Sequence, residues 1–169
     1  MAKRIIREDG DSILLKKSRP VTDFNKRLHI LLDDMRETLL EADGVGLAAP
    51  QVGILRRAVL VMDTSREDLP PEEQIIELIN PEIIASDGEQ SGREGCLSVP
   101  GVFGIVTRPN YVKVRAQDRY GEIFEVEGTE LTARCFCHEI DHLDGHLFTE
   151  RAERILTEEE LEAAESEEE

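Results

Sequence analysis

The order of patterns along this chain predicts an α+β fold. Short antiparallel or mixed sheets are expected to pack around a central helix carrying an H-E-x-x-H motif, with another helix nearer the N-terminus. Three observations lead there. An apolar stripe with helical spacing runs through residues 22–41, alternating segments fill the middle of the chain, and His138, Glu139 and His142 lie on a late helical stretch.

The opening segment, with Ile5-Ile6 and Ile13-Leu14-Leu15 around Asp9-Gly10, reads as short edge structure and a turn. After Pro20, the residues Phe24, Leu28, Leu31, Leu32, Met35 and Leu39 recur every three or four positions, so they share one face and pack into the core. Asp43-Gly44 ends that period. Residues 57–62 and 75–79 read as strands separated by the loop Asp68-Leu69-Pro70-Pro71, and residues 81–85 resume the sheet after a break. Residues 111–116 and 122–127 alternate on either side of Arg119-Tyr120-Gly121, which predicts a hairpin with one wet face. The late helix is expected from Thr129 or Glu130 to Leu143, with Gly145 placed to stop it.

Residues 1–150 read as a single domain, because neither a repeat nor a linker interrupts them. Residues 151–169 form an acidic tail, partly helical or disordered. Eight of the twelve residues from 158 onward are glutamate. Thr157 with Glu160 can cap a short helix there, and Ser166 to Glu169 are expected to fray.

A chain of 169 residues can bury a core without disulfides. Its 20 basic and 37 acidic residues leave a net charge of -17, which argues against a broad nucleic-acid or anionic-membrane surface. No apolar run has the length of a membrane span, and charges at Lys3, Arg4, Arg7, Glu8 and Asp9 break up the opening segment, unlike a signal peptide. Three cysteines cannot all pair within the chain, so a reducing cytoplasm is the expected setting.

The chemistry starts at His138-Glu139-Ile140-Asp141-His142. On a continuous helix the two imidazoles lie one turn apart and can grip one ion, and Glu139 beside them can handle protons on metal-activated water. A third ligand is needed. Gly145 extends the motif toward a metzincin pattern, but the third histidine of that pattern would fall at Phe148. His146 is one turn beyond His142, yet three stacked imidazoles rarely converge on one ion, and Gly145 marks the helix end. Cys135, three residues before His138, can face the site, whereas Cys137 points elsewhere; both suit the role of small buried helix residues. Cys96 follows a glycine that permits close backbone approach. Spacing alone leaves it as either a ligand or a buried cysteine.

Three ordered segments resemble the signatures of peptide deformylases: Gly44-Val45-Gly46-Leu47-Ala48-Ala49-Pro50-Gln51, Glu94-Gly95-Cys96-Leu97-Ser98 and the H-E-x-x-H segment. The resemblance runs from the opening residues to about Phe148. It implies that Cys96, His138 and His142 bind one divalent ion, Fe²⁺ in most relatives with Zn²⁺, Ni²⁺ or Co²⁺ tolerated, and leave a position for water. It assigns Glu139 as the proton-transfer residue, and the Gln51 amide with the Leu97 backbone N–H as donors to the developing oxyanion. Gly44, Val45, Gly46, Phe103 and Cys135 map to the substrate cleft. The substrate implied is a nascent or newly released polypeptide beginning with N-formylmethionine, and formate is the product.

Some features depart from the pattern. Pro50 is expected to stiffen the strand before Gln51. Phe103 stands where some relatives carry arginine, and the acidic tail replaces the basic terminal helix with which some bacterial relatives dock to ribosomal RNA. A monomer with at most transient ribosome contact, no stable nucleic-acid binding and no membrane association is expected. Two rival readings are a metallopeptidase and a noncatalytic, metal-stabilised peptide-binding domain.

Overall fold

A computed structural model describes residues 2–168. The first long helix, α1, spans Lys26–Ala42. It starts four residues later than the apolar spacing predicts, because the segment before it is tied elsewhere. Asn80 bonds both backbone groups of Val21, its amide oxygen accepting from N–H at 2.8 Å and its amide nitrogen donating to C=O at 2.9 Å. Asn25 then caps the helix, accepting from the Leu28 N–H at 3.2 Å. Asp43, in the left-handed region at φ 56°, ends it. The buried stripe is the expected one, with Leu28, Leu31, Leu32, Met35 and Leu39 inside and Phe24 packed against them from outside the helix.

Two antiparallel sheets follow. The larger has the order β1-β2-β3-β6-β7, with β1 at Gly46–Ala48, β2 at Ala58–Met62, β3 at Ile75–Asp87, β6 at Tyr111–Gln117 and β7 at Ile123–Thr129. A short helix, α2, covers Pro71–Gln74 in the loop before β3. The break expected at Pro81 is not a gap. β3 runs through it, and register shifts at Ile79/Glu82 and Ile83/Ala85 absorb the missing proline donor.

The smaller sheet has the order β4-β5-β8, with β4 at Gln90–Cys96, β5 at Val99–Arg108 and β8 at Arg154–Ile155. Helix α3 spans Glu130–Leu143, as predicted, and α4 covers Phe148–Arg151. Helix α5 spans Glu158–Glu168. Its start is the expected capping box: Thr157 Oγ1 accepts from Glu160 N–H, and the Glu160 carboxylate accepts from Thr157 N–H. The helix continues through Ser166, where fraying was expected, and Glu169 lies outside the described residues. No helix among the described residues is long and apolar enough to cross a membrane.

Strand alternation divides β2 between two cores. Ala58 and Leu60 enter the cluster under α1, while Val59 and Val61 enter the cluster under α3. β1 is split the same way, with Leu47 facing α1 and Ala48 facing α3. The large sheet is thus held between the two long helices.

Pro50 does not lie in a strand. The chain leaves β1 at Ala48 and turns through a 3-10 helix at Ala49–Val52, where the fixed φ of proline suits the first turn. That turn brings Gln51 back beside β1.

Candidate metal centre

On α3, positions 138 and 142 are one turn apart, and both imidazoles are buried. Cys96 arrives from the other sheet, at the end of β4, where a register shift between Gly95 and Cys96 disturbs the ladder. The sulfur and the two rings converge: Cys96 Sγ is 3.3 Å from His142 Nε2, which is 3.2 Å from His138 Nε2. All three donor atoms lie within 4.8 Å of one another, the one such cluster among the described residues. Neither Cys135 nor His146 joins it. Cys135 stands in the cleft wall, and the exposed His146 pairs with Glu150 at 3.0 Å.

Behind the centre, Glu94 Oε2 accepts from His138 Nδ1 at 2.8 Å. That bond selects the ring tautomer and leaves the Nε2 lone pair toward Cys96 and His142. Glu94 is itself gripped by Arg108 at 2.7 Å and Arg134 at 2.9 Å, and Arg108 reaches on to Asp141 at 2.8 Å. Burial pushes the Glu94 carboxyl upward, but hydrogen bonds from His138 and Arg108 outweigh it and hold it well below the usual carboxylate range.

Burial alone would lower the His138 imidazole. The negative groups Glu139, Cys96 and Glu94 outweigh burial and raise it well above its ordinary value. A proton and a cation therefore compete for the same lone pair. Burial and the neighbouring His138 keep His142 low, and hence neutral. Phe148, where a metzincin would place its third histidine, stacks on the His138 ring with centroids 6.1 Å apart.

The front of the centre differs. Glu139 is buried, its Oε2 lies 4.0 Å from His138 Nε2, and its Oε1 has no hydrogen-bond partner among the described residues. Burial pushes its carboxyl up to about 7. Gly46 is required opposite it, because an added Cβ there would collide with the Glu139 carboxylate. Gln51 is buried and oriented at both ends. Its Oε1 accepts from Ala48 N–H at 2.9 Å, and its Nε2 donates to Ser98 Oγ at 3.0 Å while facing Cys96 Sγ at 3.5 Å.

A cleft of about 480 Å³ opens on this side. Gly44, Val45, Gly46, Leu97, Phe103 and Cys135 line it, together with Gln51, Cys96, His138 and Glu139. Burial raises the Cys135 thiol well above its ordinary value, and it pushes Cys137 up to about 11, so both are neutral side chains at physiological pH. A larger cleft of about 810 Å³ lies between the N-terminal segment and α1, lined by Arg4, Arg19, Arg27 and Arg56 among others. It holds none of the ligating side chains.

Sequence reasoning missed the clamp around Glu94. Glu94 appeared only as part of a motif, and nothing in the spacing of Arg108, Arg134 and Asp141 signalled their convergence. An ionisable residue two places before a candidate thiolate ligand was the available clue.

The family model for polypeptide deformylase matches residues 3–158. The chain is 60% identical to a peptide deformylase of Lachnoclostridium phytofermentans over 151 residues, covering 89% of this chain and 90% of the relative. It is similar to the crystal structure of a peptide deformylase from Thermotoga maritima, with TM-score 0.83 and 39% identity, covering 91% of this chain and 100% of that one. It is also similar to a Met-Ala-Ser-bound class I type b peptide deformylase from Acinetobacter baumannii, with TM-score 0.80 and 37% identity over 88% of this chain and 98% of that one.

Proposed function

The chain belongs to the polypeptide deformylase family, and from that premise we propose how its own side chains remove the formyl group from an N-terminal formylmethionine. The observation that carries the reading is the meeting of Cys96, His138 and His142 beside a buried carboxylate that no arginine holds.

The donor set suits a divalent ion. With bonds of roughly 2.0 Å to nitrogen and 2.3 Å to sulfur, tetrahedral donors stand about 3.3–3.6 Å apart. The spacings of 3.2 and 3.3 Å are close to that. Fe²⁺ is assigned as the ion used in the cell, with Zn²⁺, Ni²⁺ or Co²⁺ accepted by the same donors. A bound ion supplies Lewis-acid polarisation and an acidified water.

Glu139 takes the proton from the attacking water and delivers it to the departing α-amino nitrogen. A carboxyl pushed up to about 7 is matched to that exchange near neutral pH. The Gln51 amide and the Leu97 backbone N–H donate to the oxygen on which negative charge develops. Ala48 holds the amide oxygen and Ser98 takes one amide hydrogen, so the second hydrogen, which faces Cys96 Sγ in the long 3.5 Å contact, is the one that turns to the developing charge. The methionine side chain lies against Val45, Phe103 and Cys135, where its affinity comes from apolar burial. Gly46 lets the peptide approach the backbone closely, the backbone groups of Val45 and Gly46 hold it in extended form, and Gly44 lets the loop pack tightly against Leu97.

Formylated nascent or newly released chains are the substrates, and the Met-Ala-Ser bound to the Acinetobacter relative supports a cleft that takes a peptide beginning with methionine. The enzyme acts as a cytoplasmic monomer with transient ribosome contact. The catalytic unit is assigned to residues 1–150 with 151–169 as an acidic appendage, whose β8 pairs with β5.

The test is anaerobic formate release from matched formylated and unformylated peptides, with metal analysis of the same sample. Formate from the formylated peptide alone is expected. Internal cleavage of both peptides would instead favour a peptidase, and an inert, metal-loaded protein a binding domain.

A further inference from the structure

The cleft carries one exposed cation that the reaction does not use. Arg93 lies on its rim, exposed, with its guanidinium 4.1 Å over the Phe103 ring. Along β4, Glu94 points to the buried clamp, so its neighbours Arg93 and Gly95 face the opposite side, into the cleft. Gly95 pairs with Phe103 across the ladder, and a Cβ on it would stand 2.6 Å from the ring. The missing side chain lets Phe103 lie flat on β4, and the ring in turn seats the guanidinium. The acidic lining residues leave Arg93 unneutralised. Glu94 is committed to Arg108, Arg134 and His138, and Arg93 has no ion-pair partner among the described residues. The remaining rim carboxylate is Asp43, exposed at the end of α1.

We propose that Arg93, held by Phe103, forms a carboxylate-binding subsite for an acidic side chain near the third residue of the substrate. Three residues of strand separate Arg93 from Cys96, a span of about 10 Å at roughly 3.3 Å per residue. An extended peptide whose formyl group sits at the metal centre reaches the same distance at its third residue. A guanidinium stacked on an aromatic face is already ordered, so it loses little freedom when it binds a carboxylate. The field of a chain with net charge -17 disfavours every acidic peptide. Arg93 offsets that locally, and the readout must therefore be relative.

This inference rests on the deformylase reading, and the experiment separates the two. The kcat/KM for formate release is measured on formyl-Met-Ala-Asp-amide and its isostere formyl-Met-Ala-Asn-amide, with the metal-loaded wild type, Arg93→Gln and Arg93→Lys. The Asp:Asn ratio is expected to be about three-fold higher in the wild type than in Arg93→Gln, the size of a solvent-exposed ion pair, and to shrink as salt is added. Arg93→Lys should keep part of it. An equal ratio in wild type and Arg93→Gln overturns the subsite while leaving the deformylase reading intact. No formate from either peptide removes the reading on which the subsite depends.

Discussion

Two buried carboxylates flank His138, and their surroundings send them in opposite directions. Glu94, behind the ring, is gripped by Arg108 and Arg134, so it stays an anion. Glu139, in front, has no ion pair with an arginine among the described residues, and burial pushes it up to about 7. The difference is one of partners and not of depth, since both are almost wholly buried. A permanent anion fixes a tautomer, whereas a carboxylate left alone can pass a proton. On the proposed function, they divide the support of the metal centre from its chemistry.

A third carboxylate, Glu77, provides a control far from the cleft. Arg36 at 2.9 Å and Arg119 at 2.6 Å hold it much as Glu94 is held, but no imidazole attaches to it. Its role is to tie α1 to β3 and to the turn after β6.

The largest effect is expected at the front. Glu139→Ala should lower kcat by roughly 10²–10⁴, with the bound-metal content changed little. Metal loss equal to that of His138→Ala would merge the two carboxylates into one role and break the contrast.

At the back, Glu94→Ala leaves Arg134 without an anion and Arg108 with Asp141 alone. Urea unfolding should show a loss of about 3–5 kcal/mol. Because His138 also loses its orienting partner, metal titration should show affinity weakened roughly 10–100-fold.

Glu77→Ala should cost less, about 1–2 kcal/mol by the same unfolding measurement, since its ion pairs are partly solvated. Metal affinity should be unchanged. A metal defect in this variant would show that any arginine-held carboxylate disturbs the centre.

The smallest effect is in acid. Burial raises the Glu77 carboxyl, but bonds from Arg119 and Arg36 outweigh it and lower it below its ordinary value of 4.5. The stabilisation is therefore complete above about pH 4.5 and fades as pH falls toward the depressed folded value. The gap in unfolding free energy between wild type and Glu77→Gln should narrow below that point. A gap that widened in acid would reverse the assignment.

How much of this was legible in the sequence depends on the range of the signal. The i, i+4 spacing of His138 and His142 is local, and so is the stripe of α1, and both were readable. The start of α1 was not, because Asn80, over fifty residues away, holds the segment before it. β4 and β5 escaped notice because Gly92, Gly95, Gly101 and Gly104 erase the alternation that marks a strand. Two of them serve close contacts instead, Gly95 under Phe103 and Gly104 against Ala152, and Gly101 takes a positive φ of 76°. Cys96 stayed ambiguous by spacing, since the register shift that turns it toward α3 has no sequence signature, and family resemblance supplied the assignment. The Glu94 clamp joins residues 14 and 40 positions apart, beyond any periodic pattern.

The three thiols also differ in a way that is useful at the bench. Cys135 and Cys137 are buried and protonated at neutral pH, although Cys135 borders the cleft, whereas Cys96 is half-buried. A mild alkylating reagent added to the folded protein should therefore modify one sulfur per chain, and a cation sitting on that sulfur should shield it. Counting labelled thiols by mass then reports site occupancy directly, without a substrate and without engineering a tag.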